Sequence, residues 1–478
     1  MKLYKIFLSD SKKRLLLLTS ILIINFIAFI NSSSIYESEG IAFFTFIFIS
    51  VVTINTREVS LFRFYLFTIL VFLLIQPFAN LFGFFEYPPD NAIFALAGII
   101  IPVSDYTLSQ SIKLVSLHIC FCSIGWWLSY KYSFFPPINL IKSSFLNVNI
   151  NTNKSLNSVI SLLLFFTVFI GMSIYSYVML KGSLNFGYTE TFHLGNINMP
   201  RILRVFELLY PISGSFFLYN SRTTRGYILR STIFILPYLV IAISGQRGPI
   251  MVTTVSLIYL FCHQKSYIPA MRLIVAGTSM LLFSSFLAVF RVYRDFGYAI
   301  NTISDDIGNI VLLFAGEIGS SLGVISYTMD NIQKFFNSTP FLLGYPAAVF
   351  NFEENYTFSA LQSKSYLSQH LTYLLDPQKL IRGSTIGSSI VAETLEISDQ
   401  FYLFGGIVSL AITYFILCFV RKAGSSPIFF FISFIITSSY LFSPRGSIFS
   451  FVNKEFVITG TICLTYAILK NICKSSEA

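Results

Sequence analysis

Residues 231–262 read STIFILPYLVIAISGQRGPIMVTTVSLIYLFC, two apolar runs separated by one polar turn. Each run, 231–244 and 249–262, has about 14 residues and at 1.5 Å per residue reaches roughly 21 Å, short of a hydrocarbon core about 30 Å thick. Arg230 pins the first run on one side, and His263 with Lys265 pins the second on the same side. The intervening Ser244-Gly245-Gln246-Arg247-Gly248-Pro249 is therefore expected below the opposite surface. Irregular backbone at that depth is tolerated only inside protein or beside a water-filled cavity, and an arginine there needs an anionic partner. Pro249 suits the first position of a helix, whose free N–H groups and positive dipole end favour an anion, while Gly245 and Gly248 permit close approach. The stretch reads as a recessed oxyanion or phosphate site; a tight helical hairpin with Arg247 capping nearby carbonyls is the alternative.

The rest of the chain has the same character. Of its 478 residues 54% are hydrophobic and 11% charged, with a mean hydropathy of +0.71, too little polar surface to cover a water-soluble globule of that size. Further apolar runs lie at 15–33, 40–55, 61–82, 112–130, 157–180, 203–221, 271–290, 403–420, 427–443 and 456–469, about twelve in all with the first pair. The run at 15–33 follows Lys12, Lys13 and Arg14 like a signal peptide, but no small-residue cleavage site follows Ile30, so it reads as an uncleaved anchor. The expected fold is all-α, a polytopic helical membrane protein. Residues 1–290 form a first bundle of about nine spans, 291–402 one large loop, and 403–478 about three further spans.

Cytoplasmic loops retain Lys and Arg. With the amino terminus inside, the inner segments carry about +16 and the outer ones about −6, within a net charge of +10. Both termini are then expected inside and the large loop outside. The basic balance is a topology signal, not one of nucleic-acid binding. The outer face nonetheless keeps Arg201, Arg204, Arg247, Arg291, Arg294, Arg382 and Arg445. Arginine presents a planar fork suited to phosphate oxygens. Arg291 and Arg294, three apart, share one helical face and could clamp adjacent phosphates or anchor a helix at the interface. Ser443-Pro444-Arg445-Gly446-Ser447 repeats the arginine-in-a-turn pattern and alone is a weak signal.

The long loop is the other organising feature, since loops of such length in compact proteins usually have a function. Its apolar stretch 310–325 reads as a helix lying on or dipping into the membrane. It also holds His370, Asp376 and Gly383-Ser384-Thr385-Ile386-Gly387-Ser388-Ser389-Ile390-Val391-Ala392-Glu393, a loop entering a helix with Glu393 near its first turns. The six cysteines fall in spans or at inner edges, so the loop has no disulfide framework. The histidines lack paired zinc spacing, no Asp-x-Asp occurs, and no Gly-x-x-x-x-Gly-Lys is present. No metal or cofactor is expected. An outward site with these residues needs an already activated substrate delivered in the membrane, as a lipid-linked sugar diphosphate is.

In these stretches the chain resembles the O-antigen polymerase family, usually called Wzy. The resemblance is carried by Ile243-to-Pro249 after a span, Arg291-to-Asp295, the long outer loop, and Gly387-to-Glu393 ahead of Gly405-Gly406 and another span. Where the family has an aromatic-Asn-Phe-Gly run after the glutamate, this chain has Thr394-Leu395-Glu396. The resemblance implies a glycosyltransferase of the bacterial inner membrane, GT-C-like in fold, with the loop as a periplasmic lid over a cavity open to lipid. It would join oligosaccharide repeat units carried on undecaprenyl diphosphate, with a separate chain-length regulator as partner. Arg247, Arg291, Arg294 and Arg445, with Gly245 and Gly248, would hold the diphosphate, and Glu393 or His370 would accept the proton of the attacking hydroxyl. An O-antigen ligase and a lipid-linked oligosaccharide flippase are the alternatives; short loops on both sides would be expected of the flippase.

Overall fold

Ten of the twelve apolar runs are helical in the computed structural model of the chain. The other two, 271–290 and 456–469, lie outside the described residues except at Phe286 and Val457. Described are residues 11–31, 34–54, 60–87, 92–96, 99–132, 152–186, 199–221, 223–264, 286, 319, 321–335, 339–349, 361, 366–381, 385–421, 423, 427–452 and 457. The first group of helices is α1 (Ser11–Asn31), α2 (Ile35–Ile54), α3 (Leu61–Leu81), α4 (Asp105–Lys131), α5 (Thr152–Phe186), α6 (Arg201–Tyr219), α7 (Thr224–Ile243) and α8 (Arg247–Gln264). The loop contributes α9 (Ser321–Asn331), α10 (Gly344–Ala348), α11 (Leu367–Leu375), α12 (Pro377–Ile381) and α13 (Ile390–Glu396), before α14 (Leu403–Val420) and α15 (Pro427–Phe442). Eight helices among the described residues are long and apolar enough to cross a bilayer, and Gly248–Cys262 and Phe429–Phe442 are shorter apolar helices.

Local chemistry sets several starts. Ser60, Ser104 and Thr223 each turn a side-chain oxygen onto an amide of the first turn, at Phe62, Thr107 and Gly226, satisfying donors a helix start leaves open. Lipid accounts for the outer surface: Ile23, Ile24 and Ile27 of α1, Leu163 and Ile170 of α5, and Ile407 and Phe415 of α14 are exposed. An apolar surface of that extent is unstable in water. Helix α4 is the central element and the most buried of the long apolar helices. It meets α14 at Gly125, where a Cβ would collide with the Leu410 carbonyl oxygen, the small-residue contact that lets membrane helices approach closely.

Hydrogen bonds sort the helix ends into two sides. Arg63 donates to the Thr53 carbonyl through Nη2 at 2.6 Å and Nε at 3.1 Å, Arg230 to the Phe217 carbonyl, and Arg421 to the Ser129 carbonyl. These cations cap the carboxyl ends of α2, α6 and α4, where the helix dipole favours positive charge. On the other side the Ser183 hydroxyl of α5 meets the Ser244 carbonyl at 2.7 Å, and Ser38 of α2 meets Ser109 of α4 at 2.7 Å. The up-and-down order read from the charges is thus consistent with the packing.

Four features differ from the sequence reading. Helix α7 has 20 residues and is long enough to cross a bilayer, because it continues back through Arg230 to Thr224, so of the two helices flanking the Arg247 turn only α8 is short. A two-stranded antiparallel hairpin, β1 (Ala92–Leu96) and β2 (Ile99–Pro102), joins α3 to α4; its isoleucine-rich stretch is too short to span and pairs instead. The loop helix expected over 310–325 is described only from Ser321, as α9. It packs inside the protein: Leu322, Val324 and Ile325 are buried, Ser326 meets Ser111 of α4 at 2.9 Å, and Thr107 donates to Asp330 at 2.7 Å. Helix α8 begins at Arg247, so Pro249 takes the third position, still within the turn whose amides lack helical partners.

Candidate active site

Glu393 lies in α13, a helix of seven residues entered through Gly387, Ser388 and Ser389. Gly387 has φ +84, a left-handed conformation that glycine adopts without steric cost, and this turns the chain into the helix. The Glu393 side chain is 2% exposed, and both carboxylate oxygens are bonded. Ser388 donates its hydroxyl to Oε1 at 2.8 Å and Ser447 to Oε2 at 3.1 Å. Burial pushes the carboxyl up to about 8, against the pull of the two serine hydroxyls, with Glu396 adding a like charge. Loss of hydration penalises the ionised form, while hydrogen bonds to the carboxylate favour it.

Ser447 belongs to the turn after α15. That turn is closed by the Arg445 amide on the Phe442 carbonyl at 2.9 Å, and the Ser443 carbonyl accepts the Ile390 amide at the start of α13 at 2.8 Å. A Cβ on Gly387 would sit 3.5 Å from the Arg445 carbonyl oxygen. The Arg445 guanidinium lies 5.9 Å from the ring centre of Phe72, and Phe72 packs edge-on against Phe442 at 5.8 Å. Phe72 is in Leu70–Leu74, a π-helical turn in the middle of α3, a wide turn that often accompanies functional sites.

The Arg247 turn reaches the same place. Gly245 has φ +118, and a Cβ on Gly248 would lie 4.0 Å from the Phe442 ring. The amino-terminal end of α8, the Arg445 turn and α13 therefore converge around Phe442, Gly387 and Ser443. Of Arg247 the backbone is described and not the side chain; Arg291, Arg294 and Arg382 lie outside the described residues. Arg204 sits apart in the first turn of α6, beside Tyr175 and Glu207, which share a hydrogen bond.

His370 lies on α11 and is buried. Its Nε2 donates to the Leu361 carbonyl at 2.8 Å, and its ring packs edge-on against Phe341 at 5.0 Å. Desolvation lowers its pKa, so the imidazole is neutral. Two residues on, the Thr372 hydroxyl accepts the Ile386 amide at 3.0 Å, which ties α11 to the Gly387 loop while the imidazole engages another carbonyl. Tyr345, whose ring is tilted against that of Tyr366 with centres 4.6 Å apart, feels the charge of Glu393. Sequence reasoning gave Ser447 no role of its own and passed over Phe72. Serines flanking Pro444-Arg445-Gly446 were the available signal for the first, and nothing local marks the second.

The arrangement combines a buried carboxyl with raised proton affinity, an arginine turn bonded to it, and a second arginine turn at a helix start. The family model described as O-antigen polysaccharide polymerase Wzy matches residues 14–476. No curated protein and no solved structure matches the chain. A match over nearly the whole length, on a membrane bundle of long apolar helices, shows that this chain belongs to the O-antigen polysaccharide polymerase Wzy family.

Proposed function

We propose that the chain joins undecaprenyl-diphosphate-linked repeat units at the periplasmic face, with the convergence of Glu393, Arg445 and the Arg247 turn as its reaction centre. The observation that carries the reading is the Ser447 bridge, which ties the Arg445 turn to Glu393. A hydroxyl of the incoming unit attacks the anomeric carbon of the growing chain. The new glycosidic C–O bond forms as the bond from that carbon to the diphosphate oxygen breaks. The hydroxyl proton passes to Glu393, and undecaprenyl diphosphate leaves with the bonding pair. Arg247 and Arg445, with Arg291 and Arg294, stabilise the charge growing on the diphosphate, a contribution that strengthens where water is excluded. Arginine side chains are the groups assigned to that charge, without a metal. His370 Nε2 is engaged by the Leu361 carbonyl, whereas Glu393 is joined to the Arg445 turn through Ser447, and this favours Glu393 as the proton acceptor. A chain-length regulator acts as a separate partner.

Deletion of the gene in a strain carrying a full lipopolysaccharide ladder tests this. Core capped with a single repeat unit is the expected result. Uncapped core in the deletion strain would instead assign the chain to ligation or transport of the unit.

A further inference from the structure

Below α13 the bundle holds a buried polar assembly that the proposed chemistry does not use. His118 of α4, Tyr65 of α3, Tyr402, Thr394 and Cys122 are all within the core, and His118, Tyr65, Tyr402 and Thr394 are each 0% exposed. His118 Nε2 and the Tyr65 hydroxyl are 2.8 Å apart, and the Tyr65 ring stacks on Tyr440 at 4.1 Å. Tyr65 also shares a hydrogen bond with Ser443, whose carbonyl accepts the Ile390 amide. On the other side of the imidazole, Nδ1 is 3.5 Å from the Tyr402 hydroxyl, which is 2.6 Å from Thr394 Oγ1. One imidazole thus reaches α13 at two places, through Tyr65 and Ser443 to its first residue Ile390 and through Tyr402 to Thr394, next to Glu393.

Tyr402 adds a second, independent observation. Its φ of +59 makes it the non-glycine residue in the left-handed region among the described residues. A bulky residue persists there only where its surroundings over-determine it, and such strain clusters at functional sites. The conformation directs the tyrosine into the bundle, while the Asp399 side chain accepts the Leu403 amide at 2.9 Å and steadies the turn. An ionisable side chain within a membrane-spanning helix is costly unless it has work to do, and a fully bonded buried network fixes geometry more firmly than its separate bonds.

We infer that His118, Tyr65 and Tyr402 form a positioning fork that holds α13, and with it Glu393, against the Arg445 turn. The inference rests on the reading of Glu393 as the proton acceptor, and its test separates the two. Tyr402→Phe and Tyr65→Phe keep ring volume and stacking while removing one hydroxyl each. With purified protein and the lipid-linked repeat unit, each is expected to lower kcat about three- to tenfold, the effect of one net hydrogen bond, with KM unchanged. Amide hydrogen exchange of residues 390–396 is expected to speed up in the same variants. His118→Leu is expected to lose more than either, and His118→Gln, which can still bond Tyr65, to recover part of the loss. A Glu393→Gln enzyme that polymerises normally would end the reading of Glu393 while the exchange measurement still decides the fork. Unchanged kcat and unchanged exchange at 390–396 in both tyrosine variants would overturn the fork. Equal activity in His118→Leu and wild type would overturn it as well.

Discussion

Ser447 donates its hydroxyl to Glu393 across 54 residues of sequence. The bond joins the turn after the last described membrane helix to the helix closing the long loop. It places the Arg445 backbone beside the acid, with Gly387 packed on the Arg445 carbonyl. An acid and an arginine that sequence separates are thereby neighbours at one end of the bundle.

The raised proton affinity of Glu393 sets a pH dependence. Burial holds its carboxyl at about 8, against an ordinary value of 4.5. The base form grows as pH rises, so polymerisation by purified protein should climb through a midpoint near 8. Ser447→Ala removes a bond that favours the carboxylate and should move that midpoint higher. Stability runs the opposite way. The folded state keeps a proton that the unfolded chain releases above 4.5, so this contribution is full below 4.5 and lost as pH rises to 8. Thermal unfolding in detergent should show Glu393→Gln gaining on wild type between pH 5 and 9.

The arginines should behave as transition-state donors. Arg247→Ala and Arg445→Ala are each expected to cut turnover by about 10²- to 10³-fold, the range for loss of one preorganised donor. Arg247→Lys should recover only part, because an ammonium cannot reproduce two parallel contacts. Protein amounts in the membrane, measured by immunoblot, should stay near wild type. Full-length ladders from Arg247→Ala cells would remove Arg247 from the site.

How much of this was readable beforehand follows from what each feature depends on. Ten helices were legible because an apolar run of fixed length is a local property, but of the pair around Ser244–Pro249 only α8 is short, since α7 continues back through Arg230 to Thr224 and is long enough to cross. The start of α13 was legible too, since Gly387-Ser388-Ser389 ahead of a helix-forming run is a local stop-and-start signal. The meeting of Ser447 with Glu393 was not, because it depends on how α14 and α15 return the chain. Nor was the π-helical turn at Leu70–Leu74, whose sequence LVFLL reads as ordinary helix. His118 alone in an apolar span carries no sign of its two tyrosines.

Sidedness can be tested by labelling. Asp399→Cys near the α13 end and Arg225→Cys at the α7 start are both at exposed positions, while the four described native cysteines are buried. A membrane-impermeant maleimide added to intact cells should label the first and spare the second. The reverse pattern would place the Glu393 end in the cytoplasm.

The central claim is that Glu393 takes the proton while arginines hold the diphosphate. Removing a group that acts mainly in the transition state lowers turnover and leaves ground-state binding intact. The most direct measurement is single-turnover polymerisation by purified Glu393→Gln, with binding of the lipid-linked repeat unit followed in the same preparation. The account predicts binding within about twofold of wild type and no chain extension. Normal extension by Glu393→Gln, with extension lost in His370→Ala, would contradict it and move the base to His370.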